Sequence, residues 1–176
     1  MIYMKKATLN DLKSVVSIGR ETYSEAFSSQ NKPEIMAAYL REAFSEQVVM
    51  QWLGKTTIFT YLVIRESDGG IVGYLKLNLS PDQSDFNEKN SLEVERIYLR
   101  SSEKGKGYGK QMISFAEAVA DDHKCLNLWL GVWEKNESAV MFYKRMGFDI
   151  VGKHPFVMDH EIQTDYVMKK SMKGSV

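Results

Sequence analysis

One loop constrains the fold of this chain more than any other segment. The apolar segment 92–99 leads into residues 104–109, Lys-Gly-Lys-Gly-Tyr-Gly, here called the glycine loop, and an amphipathic helix is predicted from Lys110. Glycines allow a tight turn and leave backbone N–H groups uncovered, and these groups add to the positive end of the helix that follows. The order of strand, glycine loop and helix therefore predicts an anion site that suits a pyrophosphate.

The spacing within the glycine loop excludes two common phosphate-binding motifs. A P-loop would need Gly at position 104 and Ser or Thr at position 111, where the chain has Lys104 and Gln111. A dinucleotide-binding fingerprint would need its third Gly one place after Gly109, where Lys110 stands. The loop is therefore predicted to bind a different phosphorylated ligand.

Two segments together resemble the GNAT acetyltransferase superfamily. The glycine loop is similar to its acyl-CoA loop, Gln/Arg-x-x-Gly-x-Gly/Ala, with Lys104 as a departure that keeps a hydrogen-bond donor. Residues 136–148 are similar to its second acetyl-CoA segment, Asn-x-x-Ala-x-x-Phe-Tyr-x-x-x-Gly-Phe. The matching positions are Asn136, Ala139, Phe142, Tyr143, Gly147 and Phe148. The two motifs occur in the order expected for the superfamily.

Hydrophobic periodicity and turn residues divide the rest of the chain into helices and strands. The predicted strands are residues 1–6, 58–64, 71–79, 92–99, 125–132, 148–157 and 164–168. The predicted helices follow Thr8, begin at Pro33 and Lys110, and follow Asn136. Strands alternate with helices only around the central pair, so a mixed sheet is expected. The pattern predicts one α/β domain over residues 1–176, with a mixed central sheet and flanking helices, in agreement with the GNAT fold.

The resemblance also implies how the coenzyme binds. In the GNAT fold the strands at 92–99 and 125–132 are parallel and splay apart at one end. Pantetheine enters the gap like an extra strand, which requires strand edges with unpaired backbone groups. The coenzyme-binding residues implied are Ile97, Tyr98, Leu99, Lys104, Gly105, Lys106, Gly107, Tyr108, Gly109, Lys110, Asn136, Ser138 and Tyr143.

Acetyl transfer to an amine needs a proton acceptor. A primary amine with a pKa near 10.4 is neutral to less than about one part in a thousand at pH 7, and an ammonium cannot attack a thioester. Glu93 and Glu95 lie two residues apart on one strand and therefore project to the same face. The position of Glu93 resembles that of a catalytic glutamate in some GNAT enzymes. The alternative is that these carboxylates are exposed or pair with Arg96 or Lys76.

Two residues of the second motif have implied roles in the coenzyme chemistry. By the resemblance, the Tyr143 hydroxyl protonates or hydrogen-bonds the coenzyme A sulfur as the tetrahedral intermediate collapses. Such general acid assistance contributes on the order of 10²- to 10⁴-fold in rate. The alternative for Tyr143 is a core aromatic on an amphipathic helix. Asn136 would orient the coenzyme, and a role as helix N-cap is compatible with that contact.

Segments outside both motifs resemble a narrower group, the bacterial spermidine/spermine N-acetyltransferases of the PaiA type. The similar segments are residues 21–27, 30–31, 39–44, 92–98, 129–136 and 163–165. A polyamine carries several ammonium groups, so its site should present carboxylates around a narrow slot. The candidate acceptor residues are Glu25, Phe27, Asp159 and Glu161, with Glu93, Glu95 and Asp165 as further carboxylates and Tyr23 and Trp133 as further apolar lining. For each of them, a solvated surface position or core packing is the alternative.

Composition adds few constraints. With 23 basic and 23 acidic residues the net charge is zero, so neither nucleic acid nor an anionic membrane is predicted as a partner. Cys125 is the single cysteine, which excludes an internal disulfide and fits a reducing compartment. No apolar run approaches the roughly 18 residues of a membrane span, and the first lysines follow the apolar residues, unlike a signal peptide. We expect a cytoplasmic protein and no metal; a homodimer is left open.

These inferences predict an acetyl-CoA-dependent N-acetyltransferase, with acetyl-CoA as co-substrate and a polyamine as acceptor. One alternative keeps the enzyme and changes the acceptor to a protein N-terminus, a lysine or another small amine. Another alternative changes the class of protein, to a GNAT-like domain that binds acetyl-CoA as a sensor without useful turnover. The loops that build an acceptor site vary freely in such a fold, so the sequence alone leaves these alternatives open.

Overall fold

The computed structural model describes residues 1–158 and 161–172. The strands are β1 (Ile2–Lys6), β2 (Ile58–Arg65), β3 (Ile71–Asn78), β4 (Ser91–Leu99), β5 (Asn127–Trp133), β6 (Asp149–Met158) and β7 (Glu161–Ser171). The helices are α1 (Leu12–Phe27), α2 (Pro33–Ala43), α3 (Glu46–Gly54), α4 (Tyr108–Asp122) and α5 (Glu137–Arg145). Within the described residues, no helix combines the length and the apolar character needed to cross a membrane.

The seven strands form one mixed sheet in the order β1-β2-β3-β4-β5-β7-β6. β1 pairs antiparallel with β2, and β7 pairs antiparallel with both β5 and β6. β4 and β5 are parallel neighbours, and α4 lies between them in the chain as the crossover that a parallel pair needs. The predicted α/β architecture with a mixed sheet is confirmed.

The parallel ladder between β4 and β5 is short. It pairs Ser91–Glu93 with Asn127–Trp129, although β4 continues to Leu99 and β5 to Trp133. In contrast, the whole of β5, from Asn127 to Trp133, pairs with β7. The two central parallel strands are therefore paired with each other at one end only, as the GNAT fold implies.

The predicted capping residues explain where several helices begin. The Thr8 N–H donates to Asp11 Oδ2 at 2.9 Å, the return contact of a capping box in the short 3₁₀ turn ahead of α1, and the Asp11 N–H closes that turn on the Thr8 carbonyl at 2.9 Å. Pro33 is the first residue of α2. Asn136 caps α5 by accepting from the Ala139 N–H at 3.3 Å. The Asn136 cap satisfies an N–H group that the helix itself leaves without a partner.

Some predicted boundaries are wrong. α4 begins at Tyr108 rather than at Lys110, so the end of the glycine loop forms its first turn. β5 begins at Asn127 rather than at Cys125. Lys124 adopts a left-handed φ of 56°, and the Cys125 N–H donates to the Ala120 carbonyl, which closes the end of α4. Glycine or asparagine usually marks such a helix end, so a lysine gave no signal. The last strand is longer than the predicted 164–168.

The chain packs as two compact units. The first contains Met1–Lys76 and Arg96–Met112, and the second contains Leu77–Glu95 and Ile113–Val176. The core of the first unit includes Val15, Ile18, Tyr23, Phe44, Leu62, Val63 and Tyr74. The core of the second unit includes Leu77, Leu92, Ile113, Ala116, Leu128, Trp129, Phe148 and Met168. The organisation as one domain over residues 1–176 stays a prediction.

Candidate active site

The glycine loop of the first unit has the backbone that its sequence predicts. Gly105 and Gly107 have φ values of 79° and 80°, in the left-handed region that favours glycine. A Cβ atom at either position would meet no other heavy atom within 4 Å, so the requirement for glycine there comes from the backbone conformation itself. α4 begins directly after Gly107, at Tyr108. The loop thus leads into a helix N-terminus, the arrangement that favours an anion.

A buried carboxylate fixes the entry to the glycine loop. Glu103 is 4% exposed, and its two oxygens bind Arg65 Nη1 at 2.7 Å and Lys106 Nζ at 3.0 Å. Arg65 also binds Asp68, and this contact lowers the pKa of the Asp68 carboxyl to about 2. Lys106, which the sequence assigns to the coenzyme, is therefore held by a neighbouring carboxylate. Sequence reasoning missed Glu103, since a charged residue ahead of a loop has no distinctive spacing.

Glu93 and Glu95 lie on the same face of β4 in the second unit. Asn78 Nδ2, at the end of β3, donates to Glu93 Oε2 at 2.9 Å and to Glu95 Oε2 at 2.5 Å. Glu93 also accepts from the Ser84 N–H at 2.8 Å and from the Ser84 hydroxyl. The sequence did not identify Asn78 and Ser84, which stand on the preceding strand and in the following loop. One amide donor thus joins a buried carboxylate, Glu93, and a half-buried carboxylate, Glu95, on one face of β4.

The two carboxylates differ in their surroundings. Glu93 is 2% exposed, whereas Glu95 is half-buried. Burial and, after it, the charge of Glu95 raise the pKa of Glu93, while the hydrogen bonds from Ser84 and Asn78 act against that rise. Glu93 is thus an enclosed carboxyl with a raised affinity for a proton. Glu95 is the member of the pair with access to solvent.

Tyr143 lies on α5, as the second motif predicts. Its ring is partly buried and packs against Phe142 and Phe148, with ring centroids 5.2 Å and 5.9 Å away. Burial raises the pKa of the Tyr143 phenol above its ordinary value, so the hydroxyl keeps its proton at neutral pH. A protonated phenol is what a proton donor to a thiolate requires. Its role as that donor stays a prediction.

Asn136 and Ser138 act together at the start of α5. Asn136 Oδ1 accepts from the Ala139 N–H and lies 3.2 Å from the Ser138 hydroxyl, which donates to it. The helix-capping interpretation of Asn136 is confirmed, and its side-chain orientation is fixed by two donors. The coenzyme contacts of Asn136 and Ser138 stay predictions.

His154, on β6, lies between two carboxylates of the second unit. Its Nδ1 is 2.5 Å from Asp85 Oδ2, and its Nε2 is 3.8 Å from Asp165 Oδ2. The Phe86 ring lies parallel to the imidazole and edge-on to Trp129, at centroid distances of 6.3 Å and 5.3 Å. The His154 contact lowers the pKa of Asp85, and burial raises the pKa of Asp165. Among the described residues, no group of three or more His, Cys, Asp or Glu side chains is arranged to hold a metal ion.

The other candidate acceptor residues are spread over both units. In the first unit, Glu25 Oε2 accepts from the Ser101 N–H at 2.6 Å, and the half-buried Phe27 ring packs 4.5 Å from that of Tyr23. Tyr23 is 3% exposed, so core packing accounts for it. In the second unit, Glu161 begins β7. Asp159 lies outside the described residues.

Comparison with known proteins places these observations in a family. The sequence model of the acetyltransferase (GNAT) family matches residues 19–148. An uncharacterized N-acetyltransferase from Lactobacillus delbrueckii subsp. lactis is 38% identical over 162 residues, which are 92% of this chain and 92% of the relative. A spermidine N(1)-acetyltransferase from Thermoplasma acidophilum is 20% identical over 175 residues, which are 98% of this chain and 99% of the relative.

A solved structure extends the comparison to the fold. The crystal structure of PaiA N-acetyltransferase from Thermoplasma acidophilum in complex with coenzyme A superposes with a TM-score of 0.78 at 20% identity, over 97% of this chain and 99% of that chain. At this level of identity the likeness concerns the fold alone. It confirms the architecture that the two sequence motifs imply.

Proposed function

Because the chain belongs to the GNAT acetyltransferase family, it is an acetyl-CoA-dependent N-acetyltransferase, and we propose that its acceptor is a primary amine of a polyamine such as spermidine or spermine. In this reaction a C–N bond forms between the amine and the acetyl carbon, and the C–S bond of the thioester breaks. The amine loses a proton, and the departing sulfur gains one. The chain must therefore supply a proton acceptor, a proton donor and a site for a cation.

The observation that carries the proposal is the carboxylate pair of Glu93 and Glu95. Two carboxylates held together by one amide attract an ammonium group, and they also offer oxygens that take its proton. A net acidic pair that is largely shielded from solvent suits a cationic acceptor better than an anionic one. The nearly full-length similarity to a spermidine N(1)-acetyltransferase supports the same class of acceptor.

We assign different tasks to the two members of the pair. Glu93 accepts hydrogen bonds from Ser84 and Asn78 and is enclosed, which suits it to hold the site together. Glu95 is half-buried on the same face, so it is better placed to receive the proton of the incoming amine. Glu93 acts on Glu95 through its charge and through the amide they share.

We propose coenzyme contacts for each unit by itself. In the first unit, the backbone of Ile97, Tyr98 and Leu99 pairs with pantetheine, and the glycine loop with Lys110 binds the phosphates at the N-terminus of α4. In the second unit, Asn136 and Ser138 orient the coenzyme. The protonated phenol of Tyr143 donates to the sulfur as it leaves.

The remaining amines of the polyamine need further acidic partners. Glu25 gives one oxygen to the Ser101 N–H and keeps Oε1 for a second donor. Glu161 and Asp159 supply further carboxylates, and Phe27 offers an aromatic surface to the methylene groups between the amines. We place the enzyme in the cytoplasm, in line with its unpaired, buried Cys125, where it acts on free polyamines.

The proposal is tested by continuous measurement of thiol release from acetyl-CoA. The acceptors are spermidine, spermine, putrescine, a lysine peptide and a peptide with a free N-terminus, with an assay that lacks an acceptor as control. Saturable release with spermidine or spermine supports the proposal. Release with a peptide while polyamines are inert would move the acceptor to a protein amine. Coenzyme binding without thiol release in the presence of any acceptor would favour a sensor and overturn the proposal.

A further inference from the structure

Asn78 stands at the last position of β3 and touches both carboxylates of the acidic pair. Its side chain is completely buried, at 0% exposure, and its Nδ2 lies 2.9 Å from Glu93 and 2.5 Å from Glu95. Hydrogen bonds from an amide to an ionised carboxylate are charge-assisted and stronger than neutral ones. One amide group therefore fixes the separation of the two carboxylates, which are 15 and 17 residues away in the chain.

The orientation of the Asn78 amide follows from its two contacts. An amide has two N–H donors on one side and a carbonyl acceptor on the other, whereas an ionised carboxylate only accepts. The reverse orientation would place the carbonyl oxygen against two negative charges. With Nδ2 towards the pair, Asn78 Oδ1 is buried, and no described residue donates to it. A buried acceptor without a donor is rare in folded proteins and costs free energy.

That unpartnered oxygen gains a partner when the pair accepts a proton. The carboxyl group that takes the proton becomes an O–H donor, and a half-turn of the Asn78 amide brings Oδ1 towards it. Nδ2 thus satisfies the ionised state of the pair, and Oδ1 satisfies the protonated state. In the ionised state the amide leaves its own Oδ1 without a donor, and protonation of a carboxyl group supplies one.

We propose that Asn78 is a positioning residue that holds Glu93 and Glu95 as one proton-accepting pair and serves both its ionised and its protonated state. The inference rests on the proposed function in that the proton comes from an acceptor amine. It goes beyond that function because it assigns the coupling of the two carboxylates to a third, uncharged side chain. Asn78 acts through the pair and is not itself given a contact with substrate.

Charged residues that are neighbours of the pair in sequence or in the strand register are kept constant in the test. On β3, Lys76 precedes Asn78 by two residues and is buried, with its Nζ 4.8 Å from the Trp52 ring. Arg96 follows Glu95 on β4. Asp85 follows Ser84 in the loop and binds His154. On β7, Lys169 lies opposite Trp129 in the register and binds Glu88. The variants chosen below leave all of these side chains in place.

The test is the titration of the two carboxyl groups, followed by ¹³C NMR on protein with labelled glutamate side chains. Signals are assigned with Glu93→Gln and Glu95→Gln. Asn78→Asp has nearly the shape of asparagine, loses both donors and adds a third negative charge. We expect it to raise the titration midpoint of the pair by about one pH unit or more. Asn78→Leu removes the donors and the acceptor together, so its shift is smaller.

Ser84→Ala is the matched control, because the Ser84 hydroxyl binds Glu93 and the Asn78 amide binds both carboxylates. We expect Ser84→Ala to move the titration of Glu93 more than that of Glu95, which responds only through the charge of Glu93, whereas the Asn78 variants move both signals. Thermal unfolding checks that each variant is folded; if Asn78→Leu does not fold, Asn78→Asp carries the test.

Titration curves in Asn78→Asp that match those of the wild type would overturn the inference, and so would a shift confined to Glu93. The readout needs no acceptor, so it stands apart from the thiol-release assay. Inert polyamines would remove the proposed function and leave this result interpretable. If spermidine is turned over, the rising limb of the pH profile of kcat/KM in Asn78→Asp should shift to higher pH together with the carboxyl titration. A merely structural role for Asn78 would instead lower kcat/KM at every pH.

Discussion

The glycine loop and the carboxylate pair show two different ways in which a sequence specifies a site. The glycine loop is local: two glycines with left-handed φ and the first turn of α4 lie within a few residues of one another. The carboxylate pair is assembled from β3, the loop that follows β3, and β4, through the side chains of Asn78 and Ser84. The backbone determines the first site, and side-chain contacts determine the second. Substitutions should therefore separate coenzyme binding from proton transfer.

The largest expected effect is on the carboxylate pair. Glu95→Gln keeps the shape of the side chain and removes its ability to accept a proton, so kcat should fall by roughly 10²-fold or more while coenzyme affinity is unchanged. Steady-state kinetics with spermidine and calorimetric titration with coenzyme A give the two quantities. If kcat and coenzyme affinity fell equally, the pair would support the structure of the coenzyme site, and coenzyme binding and proton transfer would not be separable.

Tyr143→Phe should have the next largest effect. The substitution removes one hydroxyl that no described residue binds, and the ring contacts with Phe142 and Phe148 are retained. We expect turnover to fall at least roughly tenfold, with coenzyme affinity within a few-fold of the wild type, because the lost interaction is made as sulfur leaves. Unchanged turnover would remove Tyr143 from the role of proton donor.

Gly107→Ala should weaken coenzyme binding and leave proton transfer intact. A side chain at a left-handed φ costs about 1–2 kcal/mol, which corresponds to a roughly 5- to 30-fold loss of affinity if the loop relaxes out of its binding conformation. Gly54→Ala is the control, since Gly54 ends α3 and a Cβ there would meet nothing within 4 Å. A fall in kcat at saturating coenzyme with unchanged coenzyme affinity in Gly107→Ala would contradict the assignment of coenzyme binding to the glycine loop and proton transfer to the carboxylate pair.

The smallest expected effect concerns stability and pH. The pKa of Glu93 is raised in the folded chain, so the folded state holds this proton more tightly than the unfolded state. The resulting stabilisation is complete below the ordinary carboxyl pKa of 4.5 and is lost as pH rises through the folded pKa. The free energy of unfolding of the wild type minus that of Glu93→Gln should therefore fall as pH rises above 4.5. A difference that rises with pH would mean that Glu93 has a lowered pKa in the folded chain.

Much of the fold could be predicted because its signals are short in sequence. Alternating apolar residues, the Thr8 and Asp11 capping box and the glycine loop each depend on neighbouring residues, and each appears where it was predicted. The exceptions are boundaries set by unusual backbone, such as the left-handed Lys124 before β5. Lys124 is neither glycine nor asparagine, so its residue type does not indicate the turn.

The partners within the site could not be predicted in the same way. Asn78 and Ser84 meet Glu93 across a loop, and Asp85 meets His154 although 69 residues separate them. Polar residues on strands and in loops are usually solvated, so nothing in their spacing distinguished them. The two glutamates were identified because residues two apart on a strand share a face, which is a local rule. Their shared amide donor required the three-dimensional structure.

The identity of the acetylated product tests the central claim most directly. The wild-type protein is incubated with acetyl-CoA and spermidine, and the polyamine is analysed by mass spectrometry with fragmentation, alongside a count of the thiol released. The account predicts one acetyl group on a terminal primary nitrogen and one thiol released for each acetyl group transferred. Spermidine that stays unmodified while the protein binds acetyl-CoA would contradict the claim that a polyamine is the acceptor.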